Sequence, residues 1–184
     1  MRYFSFIILL LLSFSCASVS QEKGDTVKAV SDTIISNADD SLLPHRITLL
    51  FAGDLMQHQG QINAARTPAG YDYSDCFKFV KEEISRADIA IANLEVTLGG
   101  KPYRGYPAFS APDEYLSAIR EAGFNVLITA NNHCLDRGKK GLERTILMLD
   151  SLRIPYAGTY TNAETREQRY PLMIEKNGFR IVLL

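Results

Sequence analysis

Three apolar runs each end in a short polar motif: residues 46–52 lead into Gly53-Asp54, residues 88–92 into Asn93-Leu94-Glu95, and residues 124–130 into Asn131-Asn132-His133. Runs of this length bounded by turn residues suit strands, and stretches of helical spacing separate them. Cys76, Val80, Ile84 and Ala87 recur on a helical period over residues 73–87, with Ser74 as the expected N-cap. Pro112 opens a second helix through Ala122, with Leu116 and Ile119 inward and Gly123 at its stop. Leu142, Ile146, Leu149 and Leu152 form one stripe of a third, over residues 141–152. Strand alternating with helix implies parallel crossovers and an α/β layered fold. In such a fold the carboxyl ends of the strands open onto one crevice. The first run is apolar on both parities, which reads as a strand covered on both faces.

The remaining segments refine this outline. Residues 155–158 read as a fourth short strand. Residues 172–175 and 179 onward read as a hairpin around Asn177-Gly178, the pair that a type I′ turn requires. The expected sheet is therefore mixed and largely parallel, flanked by helices. Residues 99–111 contain Pro102, Gly105 and Pro107 and suit an irregular segment over the strand ends. No internal repeat is present, and Gly99-Gly100 lacks the helix start and lysine of a phosphate-cradling loop. The sequence stops inside the apolar run 179–184, as expected for a fold whose C-terminal part is incomplete.

The 184 residues carry a net charge of −1 and are 46% apolar, a balance that suits a globular protein. Basic and acidic residues are interleaved, as in Lys81-Glu82-Glu83, so no basic stripe favours a nucleic acid. Arg2, an apolar stretch over residues 4–12 and the small residues Ser13, Ser15, Ala17 and Ser18 make an export signal over residues 1–20. The stretch falls short of the roughly 20 residues that cross a bilayer. Cys16 is a candidate lipidation site, and cleavage after Ser20 is the alternative; the sequence leaves both open. Residues 21–44 are too polar to bury a core and read as a flexible tether. Residues 45–184 are then the folded domain, expected in the cell envelope and attached to a membrane through the signal or a lipid. Cys76 and Cys134 are too few for a disulfide framework, and Cys76 is expected on the inward face of its helix.

Carboxylates at two strand ends, with amides and an imidazole at a third, are the donors that a hard divalent cation takes. Taken singly, Asp54 could cap a turn, Asn131 and Asn132 could occupy left-handed backbone, and His133 could be a core histidine. Their coincidence at one end of three successive strands favours a shared site. His58 follows the first motif in a polar loop and is a further candidate for contact with substrate or metal. His45 reads as solvated. Tyr71, Tyr73, Tyr103 and Tyr106 either line a mouth for a polymer or pack locally.

Gly53-Asp54-Leu55-Met56, Asn93-Leu94-Glu95 and Asn131-Asn132-His133 with Asp136, Gly138, Gly141 and Leu142 resemble the CapA family of poly-gamma-glutamate capsule synthesis. That family is similar to the calcineurin-like metallophosphatases. The resemblance covers residues 45–184 and implies a metallophosphatase-like fold. It implies two divalent metal ions, of Mn, Zn or Fe, with Asp54, Glu95 and Asn132 as ligands. It places His133 on the substrate, Asp136 behind His133, and Asn93, Asn131 and His58 around them. An anionic polymer or a phosphate-containing small molecule is the implied substrate, with other capsule-synthesis proteins as partners. The alternative is a non-catalytic accessory protein that keeps the fold to bind or export a polymer. Met56 stands where the phosphatase pattern has histidine, and no histidine follows His133. Residues 45–184 by themselves are therefore expected to bind Mn²⁺ or Zn²⁺ weakly and to be inactive.

Overall fold

A computed structural model describes residues 46–184; the expected export signal, the expected tether, Cys16 and His45 lie outside the described residues. The elements run β1 (Leu49–Leu55), α1 (Gln59–Ala64), β2 (Arg66–Thr67), β3 (Gly70–Tyr71), a 3-10 turn (Ser74–Phe77), α2 (Lys81–Ser85), β4 (Ile89–Leu94) and α3 (Asp113–Glu121). Then come β5 (Val126–Ile128), α4 (Gly138–Ser151), β6 (Tyr156–Ala157), α5 (Ala163–Arg169), β7 (Leu172–Lys176) and β8 (Phe179–Leu183). β1, β4, β5 and β6 form one parallel sheet in that spatial order. The expected α/β layered fold is present.

Alternation along β4 separates the two sides of the sheet. Ala90, Ala92 and Leu94 join a core with Leu116 and Ile119 of α3 and Ile146 and Leu149 of α4, and the alanines let those helices approach closely. Ile89 and Ile91 point the other way, where with Val126 they meet Leu172, Ile174, Ile181 and Leu183 of β7 and β8. Strands taken in chain order with crossovers of one hand put their helices on a single face, so another element must cover the second. The terminal hairpin does so. It is a separate two-stranded antiparallel sheet and does not extend the parallel one. Its turn is the expected one, with Asn177 at φ 51° and Gly178 at φ 80°.

Two local expectations are corrected. β1 is not covered on both faces: it is an edge strand whose only buried residue is Leu55, and Phe51 is 68% exposed. The hairpin packs over β4 and β5 instead. The helix read over residues 73–87 is broken into the 3-10 turn and α2, Ser74 is not its N-cap, and Cys76 and Val80 face solvent. Phe77 takes the inward position beside Cys76, its ring 6.3 Å from Tyr115 and 6.2 Å from Phe124. A larger apolar ring outcompetes the thiol for the core, and the chain breaks after it.

Gly158, just past β6, holds the third motif in place. Its φ is +122°, and a Cβ there would stand 2.5 Å from the backbone nitrogen of Ala130, the residue before Asn131. Gly158→Ala is expected to cost about 2–4 kcal/mol through backbone strain and overpacking. A urea midpoint within error of the parent's would refute that expectation.

Candidate functional site

A β-bulge aims the first motif. β1 pairs Phe51 with Ile91 but Asp54 with Asn93, so β1 carries one extra residue between them, at Ala52-Gly53. The extra residue puts Asp54 level with Asn93 at the strand ends. Asn93 then joins two carboxylates, its Nδ2 donating to Asp54 Oδ1 at 2.8 Å and to Glu95 Oε2 at 3.1 Å. Its own Oδ1 accepts from Asn131 Nδ2 at 3.1 Å, and Asn131 Nδ2 also reaches the Leu94 carbonyl at 2.9 Å. Asn131 Oδ1 accepts the His133 backbone N–H at 3.0 Å, which fixes the turn that carries the imidazole. The three motifs are thus one hydrogen-bonded network.

His133 is held from behind. Its Nδ1 lies 2.8 Å from Asp136 Oδ2, and the same oxygen accepts the Phe109 backbone N–H at 2.7 Å. An ionised carboxylate only accepts, so Nδ1 is the donor toward Asp136 and Nε2 is the ring nitrogen turned forward. Nε2 faces Glu95 Oε1 at 3.9 Å, beyond hydrogen-bond reach. Phe109, fully buried, packs edge-on against the His133 ring at 4.7 Å and the His58 ring at 5.5 Å. Exposed Tyr106 lies 6.3 Å from His58 and 6.5 Å from His133. His58 therefore stands at the rim with its ring exposed, and its backbone N–H is bound by Gln61 Oε1 at the start of α1.

Glu95 is buried, and burial raises its carboxyl above the ordinary range. Asp54 adds to that rise through a hydrogen bond and like charge, while His133 opposes it. Two carboxylates sharing a site, with no lysine or arginine paired to either among the described residues, suit a cation better than they suit each other. Among the described residues no three His, Cys, Asp or Glu side chains are grouped closely enough to cage an ion. An ion here would draw on amide oxygens as well, which fits a hard divalent cation. Met56, which stands where the phosphatase pattern has histidine, packs partly buried against the core.

Of the candidates read from sequence, Asp54, Asn93, Glu95, Asn131, His133 and Asp136 are brought together, and His58 joins them at the edge. Asn132, the expected amide ligand, is exposed beside the network, and Asn131 is the amide inside it. Neither asparagine has positive φ. Phe109 was not singled out from the sequence, since a phenylalanine in an irregular loop carries no periodic signal. Tyr73 packs locally: it is buried, its hydroxyl donates to Gln57 Oε1 at 2.6 Å, and burial pushes its phenol well above the ordinary value.

The family model for the bacterial capsule synthesis protein PGA_cap matches residues 48–184. The capsule biosynthesis protein CapA of Bacillus anthracis is 28% identical over 145 residues, covering 76% of this chain and 34% of that protein. The uncharacterized protein y4sH of Sinorhizobium fredii is 31% identical over 142 residues, covering 72% of this chain and 30% of its own length. The chain thus spans about a third of the length of these curated relatives. The match begins one residue before β1 and takes in all three strand-end motifs, and on it the chain belongs to the PGA_cap family of bacterial capsule synthesis proteins.

Proposed function

We propose that this protein is an exported, envelope-attached member of the family that acts in capsule or poly-gamma-glutamate synthesis through a metal-dependent, phosphatase-like hydrolytic site at its strand ends. The observation that carries the reading is the convergence of Asp54, Glu95, Asn131 and His133 through one network, with His133 Nε2 facing Glu95 Oε1 at 3.9 Å. Asp54 and Glu95 would hold a divalent cation, with exposed Asn132 supplying an amide oxygen. The ion would supply charge neutralisation and a more acidic bound water. His133 accepts or returns a proton at Nε2, or donates to a substrate oxyanion from there once protonated. Asp136 fixes the tautomer, and Phe109 with Tyr106 keeps bulk water from one side of the imidazole.

The accessory reading, a polymer binder without chemistry, draws on Met56, which stands where the phosphatase pattern has histidine and packs partly buried against the core. Turnover of bis(p-nitrophenyl) phosphate by the full-length gene product separates the two. The hydrolytic reading expects turnover that EDTA abolishes and Mn²⁺ restores, and a loss of about 10²–10³-fold in His133→Ala, the usual size for one group acting on developing charge. Turnover indifferent to EDTA and to His133→Ala would reject it. Absence of turnover with retained polymer binding would favour the accessory reading.

A further inference from the structure

A cleft lined by none of the strand-end residues has a volume of about 590 Å³ and is formed by Ile62, Arg66, Tyr71, Lys101, Pro102 and Tyr103. Ile62 is buried to 1% exposure and supplies an apolar wall. Tyr71 and Tyr103 meet edge to face at 5.3 Å. Arg66 and Lys101 are both exposed, and neither enters an ion pair among the described residues. The neighbouring cation Arg144 is already committed, with both nitrogens on Asp113 at 2.8 and 2.7 Å and a further bond to the Leu98 carbonyl. That pairing neutralises Asp113 and leaves Glu114, which lies beside Gly70, as the nearby carboxylate without an ion-pair partner among the described residues. Burial, together with Asp113 and Glu114, raises the Tyr103 phenol, so it remains an O–H donor at neutral pH.

Two uncommitted cations, two phenols and an apolar wall are the parts of a receptor for an anionic group on a carbon or phosphate backbone. The segment that carries Lys101 and Tyr103 continues to Tyr106 and Phe109, whose rings flank His58 and His133. Between them Gly105 lies against the backbone of His58 and Gln59, with no room for a side chain, and its N–H faces Gln59 Oε1 at 3.4 Å. The segment is therefore pinned with one end at the cleft and the other at the acidic centre.

We infer that this cleft binds a carboxylate or phosphate group of an extended polyanion, whose next segment passes Tyr106 and His58 toward Asp54, Glu95 and His133. The second half of that statement rests on the function proposed above, whereas the cleft itself stands on its own residues. Calorimetric titration of the full chain in EDTA, with a ten-residue oligoglutamate and separately with inorganic tripolyphosphate, tests it. Arg66→Gln/Lys101→Gln is expected to weaken the probe that binds by about tenfold or more, with the difference shrinking as salt screens the exposed charges. Both residues are exposed, so the thermal midpoint should hold, and Lys139→Gln/Lys140→Gln on α4 controls for net charge and should bind as the parent does. The probe that responds identifies the group, carboxylate or phosphate. Binding of neither probe, equal binding by parent and double variant, or weakening by Asp54→Asn in place of the pair overturns the inference. Because the titration contains no metal and reads no turnover, it can fail while the His133 test succeeds, and the reverse.

Discussion

Phe109→Ala is expected to lower the stability of the domain by about 3–5 kcal/mol, the range for emptying a buried aromatic position. Phe109 is 0% exposed and belongs to the main core, so the lost ring leaves a cavity rather than a surface notch. Its backbone is held at both ends: the carbonyl accepts Thr97 Oγ1 at 2.5 Å and the N–H donates to Asp136 at 2.7 Å. The cavity would open between His58 and His133, the two imidazoles nearest the candidate centre. Phe109→Leu separates the two roles. It keeps most of the volume and should cost under about 1.5 kcal/mol, while removing the aromatic edge that sets the His133 ring. Urea denaturation measures the first effect. If Phe109→Ala shifts the midpoint no further than Phe109→Leu, the loop is not part of the core as described.

Asp54→Ala in the full-length gene product is expected to reduce Mn²⁺-dependent turnover at least about a hundredfold, since it removes a carboxylate proposed to hold the ion and leaves Asn93 Nδ2 with Glu95 alone. Asp54 is the exposed member of the carboxylate pair, so the substitution should leave stability nearly unchanged. Glu95 is the contrasting case. It is buried beside Asp54 with its carboxyl pushed up, and Glu95→Gln should keep the hydrogen bond from Asn93 while lowering cation affinity. Equal turnover by parent and Asp54→Ala would remove Asp54 from the mechanism.

Much of the sheet was legible because β4, β5 and β6 are short apolar runs bounded by turn residues, and α3 and α4 carry clean apolar stripes. The motifs were legible for the same reason, as each follows directly on its strand. The bulge at Ala52-Gly53 was not, since a single inserted residue changes no period that a sequence window can register. Cys76 and Val80 misled because their spacing imitates an inward face, while Phe77, one residue along, offers more apolar surface to Tyr115 and Phe124. That Asn131 is the asparagine whose side chain turns back to Asn93 is a matter of one turn's geometry, which no sequence spacing registers. The cleft of Arg66, Tyr71, Lys101 and Tyr103 joins the short β2–β3 hairpin to an irregular segment about thirty residues further on, and no local pattern links them.

The central claim, that three strand-end motifs form one cation-seeking centre, is tested most directly by paramagnetic line broadening. Mn²⁺ added to ¹⁵N-labelled protein is expected to broaden the amide signals of Asp54, Asn93, Glu95 and residues 131–133 first and together, even where affinity is weak, and to lose that pattern in Asp54→Asn. Broadening spread over exposed carboxylates such as Glu82, Glu83 and Glu175, with the strand-end signals untouched, would contradict the claim.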